Sequence, residues 1–342
     1  MDDAKNIFIS PLDWGLGHTT RCIPIAKELH NRGHKISFGV NDEQKFLLEQ
    51  ELDFGNYILF EGYNIQYPKG GGMAIKMLLE SPKILNRIRA ERNELQALIE
   101  KHKFDLVISD NRLGLHTQKI PCIYITHQIN IQGPRLIKNQ LYKIHGKYIN
   151  RFTHCWIPDS EGKINLGEEL SHGKLHDNCS YIGTLSRFNQ KATSENEDID
   201  YLAIISGPEP QRGEFESIII NEFKKLNKNK CAIVVGKPLS KKQELIENTQ
   251  YFSHLNSIEF FKLICRSKKI ICRPGYSTIM DLSTLQKPAH FIPTPGQTEQ
   301  EHLAKLHGKK NGWSTQNKLK ISNKLECNTL PEIKTNLKNL KW

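Results

Sequence analysis

CRPGYSTIMDL at 272–282, followed by IPTPGQTEQEHLA at 292–304, decides the fold. An apolar strand end runs into a proline–glycine turn, then into a helix start with small hydroxyl residues and an acid one turn in. A second apolar strand then opens into a Gly/Gln/Glu loop. Strand, glycine turn and helix start in that order place amides and hydroxyls at the carboxyl edge of a parallel sheet, where phosphates bind. Gly275 lets backbone approach a ligand, and Ser277 and Thr278 supply hydroxyls. Asp281 shares their helix face and is spaced to accept from ribose hydroxyls. Arg273 is read as neutralising phosphate, or as solvated. Gln297, Glu299 and Gln300, in a loop freed by Gly296, suit the hydroxyls of a sugar. The plainer alternative is ordinary loop chemistry and a first-turn helix acid.

Working outward, short β-branched runs alternate with helical stretches over most of the 342 residues. Strands are expected at 6–11, 35–40, 105–110, 122–127, 154–159 and 180–185, then at 201–206, 231–236, 267–273 and 289–294. Near-continuous apolar strands separated by helices predict parallel sheets covered on both faces. The polar stretch FNQKATSENEDID (188–200) is read as a linker. The expected architecture is therefore α/β, with two Rossmann-like doubly wound domains, 1–187 and 201–342, facing a central cleft. IISGPEPQRGEFE (204–216) is a further strand–loop–helix. Amides after Ser206 and Gly207, with Arg212 near, are expected to hold a diphosphate, although Pro208 and Pro210 remove donors.

ISPLDWGLGHTTRCIPIAKEL (9–29) opens the first domain with Gly15 and Gly17 in a turn and a threonine to cap the helix. A dinucleotide fingerprint is the alternative, but its third glycine is replaced by Thr20. His18, on this loop at the cleft mouth, is placed to take a proton from an incoming hydroxyl. Asp110, at the end of the DLVISD strand, is the candidate to orient its other ring nitrogen.

Composition narrows the class. Apolar residues are 38% and charged residues 25%, as in a globular protein, and no run of about 18 apolar residues is present. The acidic start argues against export, and eight cysteines without a C-x-x-C pair suggest reduced thiols in a cytoplasmic setting. A net charge of +11 points to an anionic partner. No nucleic-acid module is visible, so a phosphorylated substrate or an acidic lipid surface remains.

At these residues the chain resembles the GT-B glycosyltransferases, most closely the family 28 group that includes the bacterial muramyl-lipid N-acetylglucosaminyltransferase, and more distantly the UDP-glycosyltransferases. The resemblance implies inverting transfer from a UDP- or related sugar without a required metal or other cofactor. Donor would bind mainly in the second domain and acceptor in the first. By motif, Asp281 matches the ribose-binding acid, and Gly275, Ser277 and Thr278 lie beside the diphosphate. Glu299 and Gln300 match the pair that reads the donor sugar, and His18 matches the loop histidine. Asp110 falls where some relatives orient that histidine. THQIN (126–130) is similar to the histidine-bearing segment on the acceptor side, making His127 a second catalytic candidate. The loops DWGLGH and SGPEPQR depart from the denser glycine runs of the family. Asp198 and Asp200 form a DxD-like pair in the linker, expected to be solvated.

IQGPRLIKNQLYKIHGKYINR (131–151) carries basic residues and no acid, with Ile137, Leu141, Ile144 and Tyr148 at helical spacing. With 67–89, it reads either as an inward-packing helix or as a peripheral contact with an anionic membrane, reaching a lipid-linked hydroxyl acceptor. Gly70, Gly71 and Gly72 read as a loop closing over acceptor. Two rivals use the same nucleotide-sugar partner: a UDP-sugar 2-epimerase of this fold, and a non-catalytic nucleotide-sugar-binding protein.

Overall fold

The computed structural model describes residues 4–63, 73–131, 138–193, 196–322, 324–338, 340 and 342. The first lobe contains β1 (Asn6–Pro11), α1 (Leu16–Asn31), β2 (Lys35–Val40), α2 (Asp42–Glu51), β3 (Asn56–Leu59) and the long α3 (Met73–His102). It continues through β4 (Leu106–Asp110), β5 (Cys122–Ile125), α4 (Lys138–Ile149), β6 (His154–Ile157) and β7 (Cys179–Tyr181). Seven strands lie in the order β3-β2-β1-β4-β5-β6-β7, and every pair is parallel. The central strands are buried throughout, as the apolar runs IFIS, LVISD and CIYI require.

The second lobe is built from β8 (Ile199–Ile204), α5 (Gln211–Lys224), β9 (Cys231–Val234), β10 (Gln243–Ile246), β11 (Thr249–Phe252), α6 (Ser257–Cys265), β12 (Ser267–Cys272), α7 (Tyr276–Leu285), β13 (Ala289–Phe291) and α8 (Thr298–Gly308). Its six strands run β10-β11-β9-β8-β12-β13, parallel except for the β10–β11 hairpin. This is the GT-B arrangement of two parallel-dominated sheets.

Strand order fixes where chemistry can sit. In the first sheet it reverses between β1 and β4, where Pro11 pairs with Asp110. In the second it reverses between β8 and β12, where Ile204 pairs with Cys272. Loops leaving strands at such points diverge and open a crevice. The chain places its glycine turns there: 12–15 after β1, 205–210 after β8 and 273–275 after β12.

The lobes are in contact. One apolar cluster runs from Ile23 and Ala26 of α1 to Ile279 and Leu282 of α7. The chain end returns to the first lobe, where Asn336 N–H donates to Ile182 O at 2.9 Å and Arg32 donates to Leu337 O at 2.6 Å.

Several expectations change. Strands β3, β10 and β11 were not anticipated: each is four residues long with mixed polar and apolar residues, β3 and β10 at sheet edges and β11 next to one. β8 opens at Ile199, inside the segment read as linker, while Asp198 and Asp200 stay at the surface, paired with Arg266 and Lys268 at 2.8 and 2.9 Å. On α4 the residues facing inward include His145 and Ile149, while Ile144 of the expected stripe is 54% exposed. Ile137 and Gly70–Gly72 lie outside the described residues.

Candidate active site

α1 starts after Gly15, whose φ of 107° is in the region that favours glycine. This turn brings His18 over the end of β4. His18 Nδ1 lies 3.0 Å from Asp110 Oδ1. Arg21, one helical turn on and therefore on the same face, is also directed at Asp110. Its Nε donates to Oδ2 at 2.5 Å and a terminal nitrogen reaches Oδ1. Asp110 and Arg21 are buried, while 17% of the His18 side chain stays exposed. Burial alone raises the Asp110 carboxyl, but the Arg21 guanidinium and then His18 hold it well below the usual carboxylate range. An ionised carboxylate only accepts, so His18 Nδ1 carries the proton and Nε2 keeps its lone pair. Burial, reinforced by the Arg21 charge, lowers the His18 pKa against the pull of Asp110.

The network continues across the lobes. Arg21 Nη1 lies 3.1 Å from His127 Nδ1. Guanidinium nitrogens only donate, so the His127 ring proton sits on Nε2, which lies 2.9 Å from Glu299 Oε1. The other Glu299 oxygen accepts from Gln128 Nε2. Burial raises the Glu299 pKa, but His127, His18 and Arg21 together outweigh it and the net shift is downward. The His127 ring stacks on Tyr276 of α7, with centroids 4.0 Å apart. Two groups expected on opposite sides of the cleft, His127 and Glu299, are therefore direct partners.

Gly17 and Ser277 also meet. Ser277 Oγ donates to Gly17 O at 2.8 Å, and a Cβ on Gly17 would come within 2.9 Å of that oxygen. Gly17 is thus required by the approach of the lobes, and the Ser277 hydroxyl is engaged by backbone. Gly275 faces open space, where the nearest atom to an added Cβ is Thr278 Oγ1 at 4.0 Å. Asp281 shares that helix face but binds the connection between lobes: Ser186 Oγ donates to Oδ1 at 2.7 Å, and Arg187 Nε is 3.5 Å from Oδ2. Burial raises its pKa, with Arg187 and Ser186 opposing. Gln300 Oε1 accepts from its own loop at Thr294 N–H, 2.8 Å away, and Gln297 Oε1 is buried without a partner among the described residues.

Arg273 does not face the crevice. It is 1% exposed, gives Nη1 to Ile292 O and Pro293 O at 3.0 and 2.9 Å, gives Nη2 to Gln316, and lies 4.1 Å over the Phe215 ring. Burial pushes its pKa down to about 9 against the pull of Glu214. Its carbonyl partners make it a strut between loops, correcting both the phosphate-neutralising and the solvated readings.

At the expected phosphate loop, Gly207 takes φ 105° with no atom within 4 Å of an added Cβ, so the backbone beside Ser206 is open. The helix start itself is occupied from within. Glu209 places Oε2 3.1 Å from Gly213 N and Oε1 3.0 Å from Arg212 Nε, while Arg212 Nη1 donates to Gly236 O at 2.9 Å. A carboxylate thus sits where an anion favours a helix N-terminus.

Arg21, Gln128, Tyr276 and Glu209 are site residues that sequence reading missed. Arg21 had a signal: a cation three residues after His18, immediately before the apolar run CIPIA. Glu209 had none beyond adjacency to the loop.

No family model matches the chain. An uncharacterized glycosyltransferase of Methanosarcina mazei is 24% identical over 315 residues, covering 85% of this chain and 81% of its own. One of Methanosarcina acetivorans is 26% identical over 332 residues, covering 85% and 80%. Among solved structures, the glycotransferase of kitacinnamycin gives a TM-score of 0.61 at 12% identity over 94% of this chain and 88% of that one. The spinosyn rhamnosyltransferase SpnG complexed with thymidine diphosphate gives 0.61 at 12% over 91% and 86%. MurG of Acinetobacter baumannii gives 0.52 at 16% over 92% and 87%.

Proposed function

We propose that this chain, a GT-B glycosyltransferase of the family 28-like type, moves a sugar from a nucleoside diphosphate, UDP in the first instance, to an acceptor hydroxyl with inversion. The observation that carries the reading is the His18–Asp110 pair, 3.0 Å apart at the switch point of the first sheet and joined through Arg21 and His127 to Glu299 of the second. In the proposed step His18 Nε2 takes the acceptor proton, the hydroxyl oxygen attacks the anomeric carbon, and the bond to the diphosphate breaks with the electron pair leaving on oxygen. Asp110 fixes the His18 tautomer and supports the imidazolium that forms.

Gly275, Thr278 and the loop at Ser206–Gly207 offer backbone to the diphosphate, and Arg212 its charge. No metal is required in this scheme. Asp281 and Ser277 can serve the nucleotide only by exchanging Ser186 and Gly17 for it, and Glu299 and Gln300 would read the sugar after similar exchanges. An acceptor carried by a lipid or an envelope glycan, reached in the cytoplasm at a membrane surface, completes the proposal. No helix among the described residues is long and apolar enough to cross a membrane.

Calorimetric titration with UDP-, GDP- and dTDP-sugars tests donor binding, and product analysis with and without acceptor alcohols tests transfer. Transfer that requires acceptor supports the reading. Isomerised sugar from donor alone would identify an epimerase, and binding without product a sensor.

A further inference from the structure

Two cysteines of the first lobe stand side by side. Cys155 of β6 and Cys179 of β7 are direct partners in a parallel pair, so their side chains leave the sheet on the same face. Both pack with the same apolar cluster. Neighbouring strands place such partners about 4.8 Å apart at Cα, within the roughly 4.4–6.8 Å that a disulfide spans. The backbone around them is fixed. Cys155 N–H donates to Asn178 O at 2.8 Å, and Asn178 Nδ2 donates to Ile149 O and Phe152 O at 3.1 and 3.0 Å. No other two cysteines are strand partners among the described residues.

The two thiols are unlike. Cys155 is fully buried, whereas Cys179 is partly exposed on the edge strand. The Cys155 S–H draws the Cys179 thiol below its ordinary value; burial opposes, and the His176 backbone adds to the lowering. The same contact, together with burial, pushes Cys155 well up. The thiolate is the attacking species in disulfide exchange, so Cys179 is placed as the nucleophile and Cys155 as the thiol that resolves.

We propose that Cys155 and Cys179 are a redox pair, closed to a disulfide by a small-molecule disulfide and reopened by thiols. The Cys179 sulfur attacks one sulfur of a disulfide such as oxidised glutathione, whose S–S bond breaks as one glutathione leaves as thiolate. Cys155 then attacks the Cys179 sulfur and expels the second glutathione. Two protein thiols are oxidised, one small disulfide is reduced, and the two cysteine protons end on the two glutathione thiols. Only Cys179 has to meet solvent, because the second attack is internal. β7 leads into Ser186 and Arg187, which hold Asp281 of the second lobe, so the bond ties down the strand that enters the connection between lobes. No group assigned to sugar transfer takes part in the exchange, so its failure and the failure of the transfer reading are distinguishable.

The test incubates the native full chain with oxidised glutathione, blocks remaining thiols with N-ethylmaleimide and maps tryptic peptides without reduction. Lys163 and Lys174 lie between the two cysteines, so the bond joins two separate peptides. The Cys155–Cys179 link should form about 10-fold faster than any other cysteine pairing, and excess reduced glutathione should reopen it. Cys155→Ser should stop at a stable mixed disulfide on Cys179. Cys179→Ser should leave Cys155 without glutathione. Cys179 recovered as the maleimide adduct in the wild type, other pairings forming as fast, or a link that reduced glutathione does not reopen overturns the pair. Glutathione on Cys155 in the Cys179→Ser protein at the wild-type rate overturns the order of attack; the wild-type map stands whether or not either variant folds.

Discussion

Asp110 Oδ1 stands 3.0 Å from His18 Nδ1 and is held on its other side by Arg21. The carboxylate therefore orients the imidazole, while burial and then the Arg21 charge leave His18, the proposed base, with a pKa below the ordinary histidine value. The base works when unprotonated. Turnover should be level at neutral pH and fall only as pH drops through a value lower than about 6.5, the unperturbed histidine figure. His18→Ala should lose about 10²-fold or more in kcat, with donor affinity kept and the acid limb of the profile gone. A variant with wild-type kcat removes His18 from the chemistry.

Asp110 has a second role that its position at a sheet end does not advertise. It is the counter-ion of a buried arginine, and removing one member of such a pair leaves an uncompensated charge, costing about 3–5 kcal/mol. Asp110→Asn should therefore lower unfolding stability in urea by roughly that amount, while His18→Ala changes it by less than about 1 kcal/mol. The folded-state pKa of Asp110 is depressed, so its contribution is present above the unfolded value near 3.9 and lost as pH falls through the lower folded value. Stability of the Asn variant should accordingly fall less on acidification. Equal acid sensitivity in both proteins would contradict the pair's energetic role.

The architecture was legible because alternating apolar strands and helices allow few arrangements, and the glycine turns after β1, β8 and β12 fell at the reversals of strand order. His18 and Asp110 were legible for the same reason: each ends or follows a strand whose neighbour is fixed by topology. Side chains whose partners come from another loop or from the other lobe were not. Nothing in CRPGYS says that Arg273 folds back on the carbonyls of Ile292 and Pro293, because that depends on how the two loops stack. The same holds for Ser277 against Gly17 and Asp281 against Ser186. The edge strands β3 and β10, and β11 beside the latter, escaped because half-exposed strands lack the continuous apolar run that marked the others.

Glu209 supplies its own anion to the start of α5, bound to Gly213 N at 3.1 Å and Arg212 Nε at 3.0 Å. In the proposed donor site, incoming diphosphate has to displace it. Glu209→Gln keeps the size and removes the charge, so the nucleoside diphosphate should bind more tightly, by about 3- to 10-fold, as expected for one exposed charge-assisted contact. Arg212→Ala should act in the opposite direction. Calorimetry with UDP on both variants decides: unchanged affinity in each would show that the diphosphate does not use this helix start.

His127 and Glu299 close the crevice by a 2.9 Å contact between lobes, so Glu299 can meet a sugar hydroxyl only by giving up His127 or Gln128. Exchanging one buried partner for another makes little difference for a matching hydroxyl and is costly for a missing one, since the carboxylate is then left unpaired. Glu299→Ala should reduce affinity for the nucleotide sugar by about 10-fold or more while leaving affinity for the bare nucleoside diphosphate unchanged. His127→Phe retains a ring to stack on Tyr276, 4.0 Å away in the native protein, but removes both hydrogen-bonding nitrogens. It should leave Glu299 free for sugar and loosen the lobes, raising affinity for the nucleotide sugar relative to the bare diphosphate. The ratio of the two affinities is the measurement that matters, because a general loss of folding lowers both together. If the ratio stays constant across wild type, Glu299→Ala and His127→Phe, the pair holds the lobes and takes no part in choosing the sugar.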